Sequence, residues 1–63
     1  MEDKFIQGFA CAIACLIRTH DEKSVGIGIL RDNGFNLKSL QKAKVDGYDY
    51  DVIKQAVDNG EEL

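Results

Sequence analysis

The chain contains no proline, and no segment of it is a repeat or a low-complexity tract. Such stretches usually mark a linker, so the sequence gives no sign of a second domain. The length of 63 residues also indicates a single domain, because a chain of about 60 residues is near the smallest that buries a sufficient core. We expect one domain over residues 1–63, stabilised in part by something besides its own core, such as oligomerisation.

Cysteine and histidine are scarce: Cys11, Cys15 and His20 are the complete set. Structural zinc normally takes four such ligands, so we expect no metal site. A disulfide between the two cysteines would close only a short loop and stabilise little. We expect both to be reduced and buried as small hydrophobes, with a disulfide across a dimer as the alternative. His20 is expected at the surface near a helix C-terminus.

Catalytic patterns are also missing, because the sequence shows no nucleophile–base pair, phosphate-binding loop or clustered acid–base set. A chain this short has little room for a sheltered pocket. Residues 46–51 are rich in aspartate, but the glycine and the terminal glutamate do not fall at EF-hand positions. We therefore expect no enzyme, no cofactor and no calcium site.

One feature that is present is the uninterrupted apolar run from Phe9 to Ile17. It is too short to cross a bilayer, which takes about 20 residues, and Met1–Lys4 lacks the positive character of a signal peptide. A cytoplasmic location is expected. A helix through this run would be apolar on nearly every side, so we expect a second copy or a partner to cover part of it.

Hydrophobic periodicity and capping residues predict an all-α fold, a small bundle of three to four helices that is homodimeric through its N-terminal helix. The predicted helices cover about residues 3–19, 24–33, 37–44 and 50–58. In the second helix, Ser24 is the expected N-cap and Gly34 the left-handed C-terminal residue. The alternation over residues 25–29 leaves a short strand open there. The inner stripe of this helix is predicted to be Val25, Ile29 and Leu30.

The last two predicted helices begin at capping residues. Asn36 is expected to cap the third helix, and Asp49 the fourth, with Tyr48 packing onto Ile53. Residues 61–63 are expected to form a frayed tail.

The first helix also carries small residues four positions apart, such as Gly8 and Ala12. Small side chains at this spacing let two helix axes approach closely. We therefore expect self-association through this helix. The predicted dimer interface consists of Phe5, Gly8, Phe9, Ala12, Ile13 and Leu16.

Charge is distributed unevenly: residues 24–44 carry four basic and one acidic side chain, and residues 45–63 carry six acidic and one basic. The spacing of the basic segment resembles a helix-turn-helix, in which DNA would meet Lys38, Ser39, Gln41 and Lys42. Because DNA affinity comes largely from neutralising phosphates, a chain with pI near 4.9 offers few such contacts. A DNA-binding regulator is the alternative function.

The acidic segment contains two tyrosines among aspartates. Exposed tyrosines beside carboxylates form a surface that can engage a basic site on another protein. The predicted partner-binding residues are Tyr48, Asp49, Tyr50 and Asp51. The alternative is that the tyrosines pack on the core and only the aspartates face water.

The layout Gly8–His20, followed by Ile29–Phe35 and Asp46–Asp51, resembles small uncharacterised proteins encoded by bacteriophages. Many such proteins are accessory factors that bind and inhibit a bacterial defence complex, as anti-CRISPR and other anti-defence proteins do. The resemblance implies a protein-binding module that inhibits a host defence or nucleic-acid-handling complex by covering a surface. The expected partner is therefore a host protein.

Overall fold

The computed structural model describes residues 3–63; Met1 and Glu2, the first half of the Met1–Lys4 segment assessed above as a signal peptide, lie outside that range. Within the described residues the fold is entirely helical, which confirms the predicted all-α class. Its helices are α1 (Lys4–His20), α2 (Lys23–Asp32), α3 (Leu37–Lys42) and α4 (Gly47–Asp58).

Helix α1 begins and ends within one residue of the predicted range 3–19. At its start the Asp3 carboxylate accepts a hydrogen bond from the backbone N–H of Ile6, at 3.1 Å, and so satisfies one of the free donors of the first turn. At its end Asp21 takes a left-handed conformation with φ 55°. Arg18 and His20 lie in the last turn, where positive charge suits the helix dipole.

The apolar run of α1 divides into a core side and a solvent side. The core side consists of Ala10, Ile13, Ala14 and Ile17. Their three- and four-residue spacing places them on one stripe and turns Cys11 and Cys15 away from it. Both cysteines are exposed, so the prediction that they are buried was wrong.

Residues 25–29 are helical, so the strand alternative is excluded. The N-cap position of α2 is Glu22, and no side chain bonds to that helix end, so Ser24 is not the cap. The buried side of α2 is formed by Gly26, Ile27 and Leu30. Val25 and Ile29 are 50% and 37% exposed, which corrects their predicted place on the inner stripe.

Helix α3 begins at the predicted cap. The Asn36 side chain accepts from the Ser39 backbone N–H, and the Ser39 hydroxyl accepts from the Asn36 backbone N–H, which together form a capping box. The helix ends at Lys42, two residues before the predicted position, because Lys44 is left-handed at φ 61°. Gln7 of α1 donates its amide hydrogens to the Ala43 and Lys44 carbonyls, at 2.9 and 3.1 Å.

Helix α4 begins at Gly47, three residues before the predicted start. The cap is Asp46, whose carboxylate accepts from the Tyr48 backbone N–H at 3.1 Å, and not Asp49. Tyr48 is 59% exposed and is not among the residues packed on the core that contains Ile53, so the predicted packing of Tyr48 onto Ile53 is not found.

The last residues lie along α2, and the prediction of a frayed tail was wrong. The Ser24 hydroxyl donates to the Glu61 carboxylate at 3.1 Å. Arg31 donates to the Glu62 carbonyl at 3.1 Å, and Leu63 packs on the core. The segment therefore forms part of the fold.

Helix α1 packs against all three other helices, and α4 also contacts α2 and α3. Every helix contributes to one core, whose largest fully buried side chains are Ile27, Leu30, Leu40 and Ile53. In this arrangement the core side of α1 packs against the other helices, and its solvent side lies at the surface.

Candidate functional site

The solvent side of α1 carries a regular stripe without charge. Phe5, Gly8, Ala12, Cys15 and Thr19 follow one another at alternating three- and four-residue spacing, and all of them are exposed. This is the heptad spacing that places residues on one helix face. We call these five residues the outer face of α1. Phe5 is the most prominent of them, with 71% of its surface accessible.

An aromatic row borders the outer face at its N-terminal end. The ring centroid of Phe9 lies 6.1 Å from that of Phe5 and 5.2 Å from that of Phe35, the second pair meeting edge to face. Phe9 and Leu16 are half-buried and lie between the outer face and the core side of α1. Both contribute apolar surface beside the stripe.

Five of the predicted interface residues therefore lie on or beside the outer face. Ile13 does not, because it is only 5% exposed and belongs to the core, so its place in the interface is corrected. Cys15 and Thr19 were missed. Their spacing of three and seven residues from Ala12 is the signal that places them on this face.

The predicted quartet of residues 48–51 is divided between two sides of α4. Tyr48 and Asp51 are exposed, and the guanidinium of Arg18 lies 5.5 Å from the centre of the Tyr48 ring. Tyr50 is half-buried and its hydroxyl accepts a hydrogen bond from the Gln41 amide at 3.0 Å. One part of the quartet faces α1 and another part faces α3.

Asp49 is half-buried and lies beside the Cys11 thiol. The negative charge of Asp49 raises the pKa of Cys11, and partial desolvation and a hydrogen bond to the same carboxylate act in the same direction. A raised thiol pKa lowers the fraction of reactive thiolate. This arrangement does not activate Cys11 as a nucleophile.

The four residues predicted to contact DNA in the alternative function all lie on α3, a helix of six residues. The Ser39 hydroxyl is engaged in the capping box, and Gln41 donates to Tyr50. Lys38 and Lys42 are exposed on this short helix. Two of the four predicted DNA contacts are thus occupied within the fold.

A cleft of about 480 Å³ separates the C-terminal part of α1, the start of α2 and α4. Its apolar lining comes from Ile17, Val52 and Ala56. Arg18 and Lys23 bring positive charge to it. Nothing in the sequence pattern indicated this cleft, because the two cations belong to different helices and come together only through packing.

Among residues 3–63, no group of three or more histidine, cysteine, aspartate or glutamate side chains is placed to hold a metal ion. Over the same residues, none of the helices combines the length and apolar character needed to cross a membrane. Comparison of the chain with protein-family models, with curated proteins and with solved structures gives no match.

Proposed function

We propose that this protein is a self-associating binding module that acts by covering a surface of another protein. A second copy binds the outer face of α1, and the exposed part of the Tyr48–Asp51 segment contacts the target. The observation that carries this proposal is the outer face itself, an exposed and uncharged heptad stripe beside an aromatic row.

The outer face suits another helix because its central residues are small. Gly8, Ala12 and Cys15 leave a shallow groove along α1, with Phe5 raised at one end. Side chains arranged in this way allow the ridges of a facing helix to enter the groove. No Cβ contact limits Gly8 within this chain, since the space around it is open to 4 Å.

A second copy of α1 is the occupant that this surface fits best. A two-fold interface requires the same patch on both partners, and an uncharged patch meets its own copy without repulsion. A standard interface removes about 800 Å² from each partner, which is about one fifth of the 4035 Å² accessible surface of this protein. The outer face together with Phe9 and Leu16 runs along most of α1, a helix of about 25 Å at 1.5 Å per residue.

The target contact lies on a different part of the molecule. Tyr48 offers an exposed aromatic ring, a residue type enriched in protein interfaces, and Asp51 adds an exposed carboxylate that can attract a basic group. Asp46 and Asp58 add negative charge to the same helix and its cap. A complementary basic surface on the target would be attracted to this side of α4.

The resemblance to small phage-encoded proteins supports the choice of target class, a bacterial defence or nucleic-acid-handling complex. Inhibition by surface coverage needs only the contact itself and no catalytic group. The proposal is therefore an anti-defence inhibitor that works as a homodimer.

The test is capture from a bacterial lysate with a tagged copy of the protein. Wild type should retain one host complex and inhibit its activity when the two are mixed. Tyr48→Ala should reduce retention, whereas Val25→Ala, which shortens another exposed apolar side chain outside this surface, should retain the complex. Equal retention by all variants would contradict the assigned surface. Binding to duplex DNA that is sensitive to salt and lost in the double variant Lys38→Glu, Lys42→Glu would instead support the regulator.

A further inference from the structure

The cleft between α1, α2 and α4 has an unbalanced charge. Arg18 and Lys23 line it together with a single carboxylate, that of Asp51. Within residues 3–63 neither cation takes part in an ion pair; the pair found there joins Lys54 and Asp58. The cleft is thus net positive in a chain whose formal net charge is −3.

The two cations lie beside an apolar surface. Ile17 and Ala56 are core residues that reach the cleft, and Val52 is half-buried there. A volume of about 480 Å³ falls in the range of about 300–1,000 Å³ that is typical of ligand pockets. The cleft therefore combines an anion-attracting rim with a lining suited to an aliphatic side chain.

We propose that this cleft binds a peptide segment of the target that presents one carboxylate next to an apolar side chain. This inference rests on the proposed function, because it specifies part of the surface that the target offers. The carboxylate lies between Arg18 and Lys23, and the apolar side chain packs on Ile17, Val52 and Ala56.

Arg18 is held in place for this role. Its guanidinium carbon lies 5.5 Å from the centre of the Tyr48 ring, a cation–π contact that restrains the side chain beside the cleft. Planar guanidinium groups match the geometry of a carboxylate and bind it through two parallel hydrogen bonds. Less side-chain entropy is lost on binding when the donor is already positioned.

The carboxylate of Asp51 determines which anions the cleft favours. It lies on the same rim and repels negative charge. Two cations against one carboxylate leave room for a single negative charge, which a peptide carboxylate supplies. A phosphate group carries between one and two negative charges near neutral pH and meets stronger repulsion. The apolar lining also makes no favourable contact with inorganic phosphate.

The test is an NMR titration of the ¹⁵N-labelled protein with N-acetyl-leucine, whose carboxylate is free, and with N-acetyl-leucinamide, which is neutral. N-acetyl-leucine should shift the amide signals of residues that line the cleft, and the amide should bind more weakly by about tenfold. Arg18→Gln and Lys23→Gln should each weaken binding of the carboxylate by about the same factor. Lys44→Gln removes an exposed positive charge away from the cleft and should leave binding unchanged.

Equal binding of the carboxylate and the amide would overturn the inference, as would shifts that fall outside the cleft. Tighter binding of inorganic phosphate in a parallel titration would also overturn it, by assigning the cleft to a different anion. The titration uses this chain alone and no host protein. Loss of capture from a lysate with a normal titration would therefore refute the proposed function, and normal capture with no binding of N-acetyl-leucine would refute only the cleft.

Discussion

The backbone of Gly26 in α2 lies against the side chain of Ile17 in α1, where a Cβ would stand 2.9 Å from Ile17 Cγ1. Real Cβ atoms essentially never come so close, so the two helices pack at this distance only because Gly26 has no side chain. Gly28 in the same helix has no such restriction, since its nearest neighbour would be the end of the Arg31 side chain at 3.7 Å.

These two glycines give a matched pair of substitutions. Gly28→Ala should raise the free energy of unfolding by about 1 kcal/mol, because alanine favours the helix. Gly26→Ala should lower it by about 1–3 kcal/mol, because the gain in helix propensity is outweighed by the displacement of Ile17. Urea unfolding of both variants at one protein concentration measures the difference. A Gly26→Ala variant as stable as Gly28→Ala would show that the two helices are not packed at this distance.

A second pair of substitutions concerns left-handed backbone. Lys44 has φ 61°, a conformation that costs a residue with a side chain about 1 kcal/mol. Lys44→Gly should therefore raise the free energy of unfolding by up to about 1 kcal/mol. Gly34 has φ 80°, and Gly34→Ala should lower stability by a similar amount. Thermal or urea unfolding checks both signs, and equal signs for the two variants would contradict the assigned backbone.

The Cys11–Asp49 contact predicts a pH-dependent reactivity. The negative charge of Asp49 raises the pKa of Cys11, so Asp49→Asn should lower that pKa and increase the thiolate fraction at pH 8. We expect faster alkylation by iodoacetamide in this variant, measured in a Cys15→Ser background so that one thiol reacts. Asp51→Asn is the control, since Asp51 does not contribute to the shift at Cys11. An unchanged rate in Asp49→Asn would place Cys11 away from Asp49.

The sign of the linked effect on stability follows from the same contact. The folded protein holds the Cys11 proton more tightly than the unfolded chain does, because the folded pKa is raised. The corresponding contribution to stability is complete below the ordinary thiol pKa and is lost as the pH rises through the folded value. Raising the pH through the thiol pKa should therefore lower the free energy of unfolding slightly less in Asp49→Asn than in wild type.

Local signals in the sequence were sufficient for α1 and α3. The apolar periodicity of α1 located it within one residue at each end, and the Asn36–Ser39 capping box marks the start of α3. At the start of α4, Asp46 and Asp49 lie three residues apart, and either could cap the helix by residue type. Gly47 favoured the later start by propensity, and the hydrogen bond from Tyr48 to Asp46 overrides it.

The remaining differences between the predictions and the structure arise from contacts between helices. Gly26 weakens α2 by propensity, but it allows the close approach to Ile17, which no pattern within α2 reveals. The exposure of Cys11 and Cys15 depends on which stripe of α1 faces the core. Arg18 and Lys23 meet at one cleft only after α1, α2 and α4 have packed.

The central claim is that a second copy covers the outer face of α1, and sedimentation equilibrium at micromolar concentration tests it most directly. Wild type should sediment at about twice 7.0 kDa. Ala12→Arg places a charge in the middle of the outer face and should sediment as a single chain. Val25→Arg, which alters an exposed apolar residue on α2, should remain dimeric. A wild-type protein that sediments as a monomer at every concentration up to about a hundred micromolar, or an Ala12→Arg variant that stays dimeric, would contradict the claim.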